Sequence, residues 1–273
     1  MKQFTTNDII IQPLTASDVE FVAALQPEGW GDILAPIRFY STSLFCHPLK
    51  ATIRDEIVGI GTAIIHGRTA WLAHIIVGKD YRNAGIGTAI TQSLMALINR
   101  KGCETMLLLA TALGEPVYKK LGFNVEAKYI FLDHGDLPEP GKDYNVIGFS
   151  ERYRQAVLDF DKRVSGETRE KLLNDHLKVS KLFLREKEIM GFYMPTLGEG
   201  LIISSDPEAG IELMKHKRKL NKLFCLPLDN VEGINFLEQH RYKRLREASR
   251  MLRGKKINWD GRQVYSRIGG NLG

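Results

Sequence analysis

The sequence predicts a mixed α/β protein with two domains of similar architecture, each with strands and helices. Three observations predict this. Apolar segments of strand length alternate with amphipathic helical segments. A polar stretch with two prolines and two glycines, residues 133–143, separates two halves. The second half repeats the element order of the first. A chain of 273 residues is sufficient for two domains, which we expect at 1–140 and 141–273.

In the first half, short apolar runs predict strands, and apolar residues at helical spacing predict helices. The expected strands are 9–14, 51–53, 57–66, 71–77, 106–110 and 123–132. Helices are expected after the capping residues 15–18, within 29–45, at 84–100 and at 115–121. Gly102 follows the helix at 84–100, where a left-handed cap is expected.

In the second half, the same two patterns predict a further set of strands and helices. The expected strands are 145–149, 179–185, 189–195, 199–205 and 222–227, followed by closing β structure. The expected helices are 150–163, 168–176, 207–217 and 231–239.

The composition is that of an ordinary soluble globular protein, with 44% hydrophobic and 26% charged residues. No apolar run reaches the roughly 18 residues that a membrane span needs, and the first residues do not have the pattern of a secretory signal. Cys46, Cys103 and Cys225 stand in scattered contexts. We interpret them as reduced, buried thiols of a cytoplasmic protein, with a disulfide or a metal site as the alternative.

Positive charge is concentrated in the second half. Residues 1–140 hold 12 basic and 14 acidic residues, and the remainder hold 26 and 18. The basic segments are 215–222 and 241–256. They form either a solvated face or a surface that attracts an anionic cofactor or substrate. Nucleic acid is an unlikely partner, because neither aromatic residues nor a helix-turn-helix pattern accompanies the charge.

The segment 75–94 carries the most specific chemistry. A buried strand ends at Val77, and Arg82-x-x-Gly85-x-Gly87-Thr88 then opens a helix. Glycine lets the backbone bend and approach a ligand closely. The first N–H groups of a helix lack intrahelical partners and favour phosphate, and arginine adds a forked donor pattern suited to phosphate. These features describe a pyrophosphate site, although a glycine-rich turn without a ligand is the alternative. The pattern is neither a P-loop nor the three-glycine dinucleotide fingerprint.

This segment resembles the acyl-CoA-binding motif of the GNAT acetyltransferase superfamily. Residues 107–123, LLLATALGEPVYKKLGF, resemble the next conserved block of that superfamily, a strand, a short helix with a tyrosine, and a Leu-Gly-Phe turn. The two blocks stand in the expected order, and the resemblance covers most of residues 1–135. The resemblance implies a fold of the α+β type, in which two tandem GNAT-like domains each hold a mostly antiparallel twisted sheet flanked by helices. It also implies acetyl-CoA as co-substrate, with no metal.

The resemblance also assigns roles residue by residue. The backbone of Ile75, Ile76 and Val77 would bind the acetyl and pantetheine part of acetyl-CoA. The pyrophosphate would be held by Arg82, Asn83, Ala84, Gly85, Ile86, Gly87 and Thr88. Tyr118 matches the tyrosine that protonates the departing thiolate in many members, since a phenol can donate to a thiolate forming beside it. A packing tyrosine is the alternative.

The proton acceptor for the attacking amine is less clear from the sequence. Many members place a glutamate on the strand before the phosphate loop, but here the one titratable side chain of residues 71–77 is His74. A histidine suits a base at neutral pH. The alternative is a structural strand histidine, with Glu115, Asp80 or solvent taking the proton.

The second half lacks Arg-x-x-Gly-x-Gly, and residues 203–214 keep a strand-to-helix turn without the glycine pair. A second cofactor site is therefore in doubt. This half resembles the C-terminal, GNAT-like domain of a set of tandem acetyltransferases. The matching segments are 159–173, 225–230, 249–254 and 263–273; the N-terminal segments 28–31 and 110–118 also fit that set.

The hypothesis is that the C-terminal domain closes over the acetyl site and selects the acceptor. Candidate substrate residues are Trp30, Asp161 and Arg163, and Arg169 is a further polar residue singled out in this half; the alternatives are a core tryptophan and a surface ion pair.

The sequence therefore predicts an N-acetyltransferase that acts on a primary amine of a small molecule or a lysine side chain. The alternatives are a protein that binds or senses acyl-CoA without chemistry and a nucleic-acid-associated factor. The sequence does not identify the acceptor or the oligomeric state.

Overall fold

A computed structural model of the chain describes residues 8–141, 145–217 and 223–272. The chain divides into two compact units, residues 1–108 with Leu272, and residues 109–271 with Gly273. In the first unit the strands are β1 (Ile10–Pro13), β2 (Cys46–Ile53), β3 (Glu56–His66), β4 (Thr69–Val77) and β5 (Thr105–Ala110), the last of which runs past the division. The helices are a 3-10 helix (Ala16–Leu25), α1 (Leu34–Thr42), a 3-10 turn (Lys79–Tyr81) and α2 (Ile86–Arg100).

The first unit is a sheet in the order β1-β2-β3-β4-β5. Its pairs are antiparallel except β4 with β5, which are parallel. The hairpin between β2 and β3 turns through Arg54 and Asp55, whose φ angles of 48° and 66° are those of a two-residue turn that matches strand twist.

Helix α2 lies directly against β3, and two glycines make this possible. A Cβ added to Gly61 would lie 2.6 Å from Cγ2 of Ile90, and one added to Gly59 would lie 2.9 Å from Cδ1 of the same residue. Overpacking of this kind costs about 1–3 kcal/mol. Ile90, Leu94 and Ile98 are fully buried at helical spacing. The apolar stripe of α2 therefore fixes the helix, and with it the start of the helix, on the sheet.

The second unit contains the remaining elements. Its strands are β6 (Asn124–Asp133), β7 (Val146–Gly148), β8 (Lys181–Arg185), β9 (Glu188–Met194), β10 (Leu201–Ser204), β11 (Phe224–Pro227), β12 (Lys243–Gly254) and β13 (Val264–Ser266). Its α-helices are α3 (Glu115–Lys120), α4 (Arg154–Ser165), α5 (Glu170–Leu173), α6 (Pro207–Lys217) and α7 (Val231–Gln239). Three 3-10 helices cover Glu151–Tyr153, Asn174–Val179 and Gly261–Gln263.

Two sets of antiparallel strands build the second unit. Five strands follow the order β13-β10-β9-β8-β7, and three follow the order β12-β6-β11. Tyr265 packs so closely that a Cβ on Gly210 of α6 would lie 2.4 Å from its ring and one on Gly233 of α7 would lie 3.2 Å from it. The two helices thus share one buried tyrosine as their packing surface.

The fold class predicted from the sequence is confirmed: both units are mixed α/β with sheets that are mainly antiparallel. The compact division, however, falls after Leu108, whereas the sequence places a domain boundary at residue 140. The difference arises because β6, assigned to the first half, pairs with β11 and β12 of the second. The predicted basic segment 215–222 and linker 133–143 lie partly outside the described residues.

The three cysteines are free and buried, as expected. In the described parts of the chain, no helix has both the length and the hydropathy needed to cross a membrane.

Candidate active site

Strand β4 is irregular at the position where a site is expected. Ala73 pairs with Thr62 of β3 and Ile76 pairs with Ile60, so β4 carries one extra residue between these pairs. His74, inside this bulge, has a φ of 46°, which is rare for a residue other than glycine. Such strain persists only where the surroundings hold it, and it is frequent at functional sites.

The bulge coincides with the end of pairing on the other side of β4. Strand β4 pairs with β5 from Thr69 to Trp71, opposite Thr105 to Leu107. Among the described residues, the pairing does not extend to Ile75, Ile76 or Val77. The backbone groups of these three residues that face β5 are therefore not used in strand pairing. The predicted binding of the acetyl and pantetheine part requires such groups.

The connection from β4 to α2 reverses the chain through left-handed residues. Asn83 has a φ of 61° and Gly85, which precedes the helix, a φ of 79°. Ala89 N–H donates to the carbonyl of Gly85 at 3.0 Å. The N–H groups of Ile86, Gly87 and Thr88 come before this bond and have no intrahelical acceptor.

The charge at this end of α2 favours an anion. The first turn of α2 contains no acidic residue, and no side chain caps it. The Arg82 side chain is exposed, and its Nε donates to the Val77 carbonyl at 3.3 Å, which links the strand end to the loop. The remaining guanidinium donors and the helix dipole add positive potential at one place.

Gly87 leaves space at the helix start that the fold itself does not need. A Cβ added there would meet Cγ2 of Val77 at 3.6 Å, an ordinary contact. Without a side chain at this position, the backbone can be approached closely from outside, as the predicted diphosphate site would require. We refer to the backbone of 86–88 with Arg82 as the α2 mouth.

His74 is surrounded by aromatic rings. Its Nδ1 lies 3.0 Å from the hydroxyl of Tyr40, and its ring lies 6.3 Å from the ring of Trp30 in an edge arrangement. Burial lowers the pKa of His74 to about 4, so the imidazole is neutral at pH 7. The same shift makes it a weaker base than a free histidine.

Trp30 is 48% exposed, so it is not a core tryptophan. Its loop is held by Gln26, whose Nε2 donates to the carbonyls of Trp30 at 3.2 Å and Gly31 at 3.0 Å. The Gln26 Oε1 accepts from Ile33 N–H at 3.2 Å. The structure therefore brings together His74 and Trp30, two residues that the sequence analysis assigned separately.

Tyr118 belongs to the second unit, on the short helix α3. Its ring meets Phe123 edge to face at 6.1 Å. Burial raises the pKa of Tyr118 to about 12, so the phenol keeps its proton at neutral pH. A tyrosine in this state can donate a proton and cannot act as a base.

The fallback acids are placed differently from His74. Glu115 accepts from Lys119 Nζ at 2.6 Å and from Ser249 Oγ at 2.5 Å, and these bonds lower its pKa. Glu115 is therefore already engaged as an acceptor. Asp80 is exposed on the 3-10 turn before Arg82.

Asp161 and Arg163 do not pair with each other. Asp161 is 1% exposed and accepts two bonds from Arg169, at 2.5 Å and 3.1 Å. The guanidinium of Arg163 instead lies 4.6 Å from the ring centroid of Phe160. We interpret the Asp161–Arg169 pair as a structural support of α4, which leaves Asp161 little access to a substrate.

Sequence reasoning missed Tyr40 and Gln26. Tyr40 follows Ile37 at helical spacing, and both are buried, which was the available signal for a packed helix in 29–45. Nothing in the sequence indicated that Tyr40 would reach Nδ1 of His74, because the two residues are joined by tertiary packing alone.

Comparisons with known proteins agree with this geometry. Residues 46–125 match the acetyltransferase (GNAT) domain family, a range that contains the bulge and the α2 mouth. A glucosamine 6-phosphate N-acetyltransferase from Trypanosoma brucei brucei is 32% identical over 95 residues, which are 34% of this chain and 65% of that protein. The chain spans less than two thirds of the length of the curated relatives it matches.

Two crystal structures share the fold over nearly the whole chain. A provisionally assigned acetyltransferase from Pyrococcus horikoshii has a TM-score of 0.82 at 21% identity, covering 100% of this chain and 99% of its own. A GCN5-related N-acetyltransferase from Sphaerobacter thermophilus has a TM-score of 0.63 at 12% identity, covering 94% and 100%. At these identities the likeness concerns the fold.

Proposed function

Because residues 46–125 are a GNAT acetyltransferase domain, we propose that the protein is an N-acetyltransferase that moves an acetyl group from acetyl-CoA to a primary amine. The amine is carried by a small molecule or a lysine side chain, and it attacks directly in a ternary complex. The observation that carries the proposal is the α2 mouth, where three N–H groups without intrahelical acceptors lie beside Arg82.

The residues of the α2 mouth fit the diphosphate of acetyl-CoA. The N–H groups of Ile86, Gly87 and Thr88 and the guanidinium of Arg82 are donors, and the Gly87 position leaves room for a close approach. The unpaired backbone of β4 at Ile75–Val77 would hold the pantetheine amides. Asn83, Ala84 and Gly85 complete the loop, in which Asn83 and Gly85 have left-handed φ angles.

When bound, acetyl-CoA supplies the thioester carbon that the amine attacks. As the new C–N bond forms and the C–S bond breaks, the departing sulfur needs a proton; the resemblance assigns Tyr118 as its donor, and Tyr118 would have a proton to give because it stays protonated at neutral pH. His74 accepts the proton that the nitrogen loses. Since a nitrogen becomes much more acidic once it has begun to bond to the acetyl carbon, a weak neutral base suffices at this step.

One observation favours a second candidate function. Strand β4 contains no carboxylate, and burial lowers the pKa of its one titratable side chain, His74, to about 4. A domain with a working phosphate site and a weak base would suit a protein that binds or senses acyl-CoA without acetyl transfer.

The discriminating experiment follows free thiol released from acetyl-CoA in the presence of an amine panel. The panel includes glucosamine 6-phosphate, a polyamine, an arylalkylamine and a lysine peptide. We expect amine-dependent release, and a fall in kcat of roughly 10²-fold in Tyr118→Phe. Tyr153→Phe, a half-buried tyrosine of the second unit outside the proposed machinery, is the control. Acetyl-CoA binding without release under any amine favours the sensing function.

Acceptor selection by the second half, residues 141–273, stays a prediction. The structure adds that Asp161 is a poor candidate and that Trp30 is a better one. Trp30→Ala tests the part of Trp30 itself, since a change in the ranking of the amine panel supports a role of this residue in selection, and a uniform change does not.

A further inference from the structure

Tyr40 is more deeply buried than His74. Tyr40 is 1% exposed and lies on the buried face of α1, as Ile37 does. His74 is half-buried. The bond between them therefore joins a buried hydroxyl to a ring that is not fully buried.

The contacts of His74 fix the orientation of its imidazole ring as well as the position of that ring. The two rings are 5.6 Å apart and tilted by 56°, and Trp30 meets the imidazole from a third side at 6.3 Å. With Nδ1 held at 3.0 Å by the Tyr40 hydroxyl, the nitrogen that remains for other chemistry is Nε2. Which imidazole nitrogen is basic depends on the bond that the other nitrogen makes.

The backbone at His74 adds an independent reason for an anchor. The left-handed φ of 46° in a bulge sets an unusual side-chain direction that costs of order 1–3 kcal/mol. A histidine with a merely structural role could be replaced there by asparagine or glycine, which adopt this conformation more readily. The strained backbone and the buried hydroxyl beside Nδ1 both fit a histidine whose Nε2 must be held in one direction.

We propose that Tyr40 is a positioning residue: its hydroxyl oxygen accepts from Nδ1–H of His74 and thereby leaves Nε2 bare to take the proton of the acceptor amine. This inference rests on the proposed acetyl transfer. Tyr40 itself does not contact the reacting atoms and acts through His74.

The first test is a double-mutant cycle on thiol release. His74→Asn keeps a residue suited to the bulge and removes the basic nitrogen, and we expect kcat to fall roughly 10²-fold. Tyr40→Phe should lower kcat roughly tenfold with the acetyl-CoA Kd unchanged. In the double variant, the Tyr40 change should add nothing to the His74 change, because residues that act as a unit are non-additive. Additive losses would overturn the proposal.

The second test is rescue by imidazole. His74→Gly leaves a space beside Tyr40, and free imidazole should restore turnover in proportion to its occupancy of that space. Adding Tyr40→Phe should raise the imidazole concentration for half-maximal rescue severalfold, since the anchor is gone. No rescue, or the same half-maximal concentration with and without the Tyr40 hydroxyl, would contradict the assignment.

A third measurement does not depend on turnover and so separates this inference from the proposed function. Nitrogen-15 NMR of the His74 ring should find a protonated Nδ1 and a bare Nε2 in the full chain, and a mixed population in Tyr40→Phe. The opposite tautomer in the wild-type chain would overturn the proposal, whether or not any amine is acetylated. Tyr81→Phe removes another buried tyrosine bond, to Glu56 at 2.7 Å, and is the control for a general loss of stability.

Discussion

The two units each lead a buried strand into a helix, and they treat the start of that helix in opposite ways. In the first unit, β4 leads to α2, which begins after Gly85 with no acidic residue in its first turn. In the second unit, β10 leads to α6, which begins with Pro207 and has Glu208 in its first turn. The start of α2 has no acidic side chain and is open to an anion, whereas the start of α6 already has an acidic side chain of the same chain.

The start of α6 is occupied by Asp206. Its Oδ1 accepts from Ala209 N–H at 3.0 Å, and its Oδ2 lies 2.6 Å from Arg185 Nη1. Burial acts to raise the pKa of Asp206, but the bonds from Arg185 and from the backbone of Ala209 and Glu208 lower it overall. Proline supplies no N–H at the first position, so the first turn of α6 has its donors used or missing. A second diphosphate site is therefore not expected there.

The strands differ in the same sense. Strand β10 pairs with β9 in unbroken register from Leu201 to Ser204; its register with β13 shifts between Ile202 and Ile203, but no residue from 201 to 217 has a positive φ. In the first unit, the bulged β4 and the loop after it hold left-handed residues at His74, Asn83 and Gly85. The two connections therefore differ in backbone strain, which is frequent at functional sites.

Acid stability should reveal the largest difference, because the strained strand carries a half-buried histidine with a lowered pKa. The pKa of His74 is lowered to about 4, while the unfolded chain takes up the proton near 6.5. The unfolded state thus binds more protons as the pH falls from 6.5 to 4, and folding loses about 3 kcal/mol from this group. Urea unfolding at pH 7 and pH 4.5 should give a smaller loss in His74→Asn than in the wild-type chain. Equal losses would mean that His74 is not desolvated.

Replacing the arginine of each strand-to-helix connection by glutamine should weaken acetyl-CoA binding only when the arginine belongs to the first unit. Arg82→Gln removes a charged donor from the α2 mouth, and we expect the acetyl-CoA Kd to rise roughly tenfold. Arg185→Gln removes the arginine beside Asp206 and should leave that Kd unchanged. Calorimetric titration of both variants checks the pair, and equal weakening by the two changes would break the contrast between the connections.

Removing the Asp206 carboxylate from the start of α6 should lower the stability of the fold rather than acetyl-CoA binding. Asp206→Ala takes away the cap of the helix, and the free energy of unfolding should fall by about 1 kcal/mol. Asp80→Ala, which removes an exposed acid before α2, should change it by less than about 0.5 kcal/mol. Denaturant midpoints of the two variants measure this. A cap that can be removed without loss would show that α6 does not depend on Asp206.

Much of this contrast could be read from the sequence. The glycine pair after Arg82 predicted the open helix start, and its absence from residues 203–214 placed a second site in doubt. Helix and strand positions were also accessible, because α2 and the strands of both units have clear apolar periodicity.

Other features could not be predicted, for physical reasons. The pairing of β6 with β11 and β12 is set by contacts between segments distant in sequence, so the division after Leu108 was missed. The bulge at His74 depends on register with β3, which a single strand does not encode. The partner of Asp161 proved to be Arg169, eight residues away and brought close by the end of α4.

The α2 mouth is tested most directly by a charge placed on it without disturbing the fold. Gly87→Glu puts a carboxylate at the helix start, where the fold has room and where the helix dipole favours it by about 0.3–1 kcal/mol. Gln92→Glu puts the same charge on an exposed position of the same helix. Calorimetry with acetyl-CoA should detect uptake by the wild-type chain and by Gln92→Glu, and none by an equally stable Gly87→Glu. Uptake retained by Gly87→Glu, or absent from the folded wild-type chain, would contradict the account.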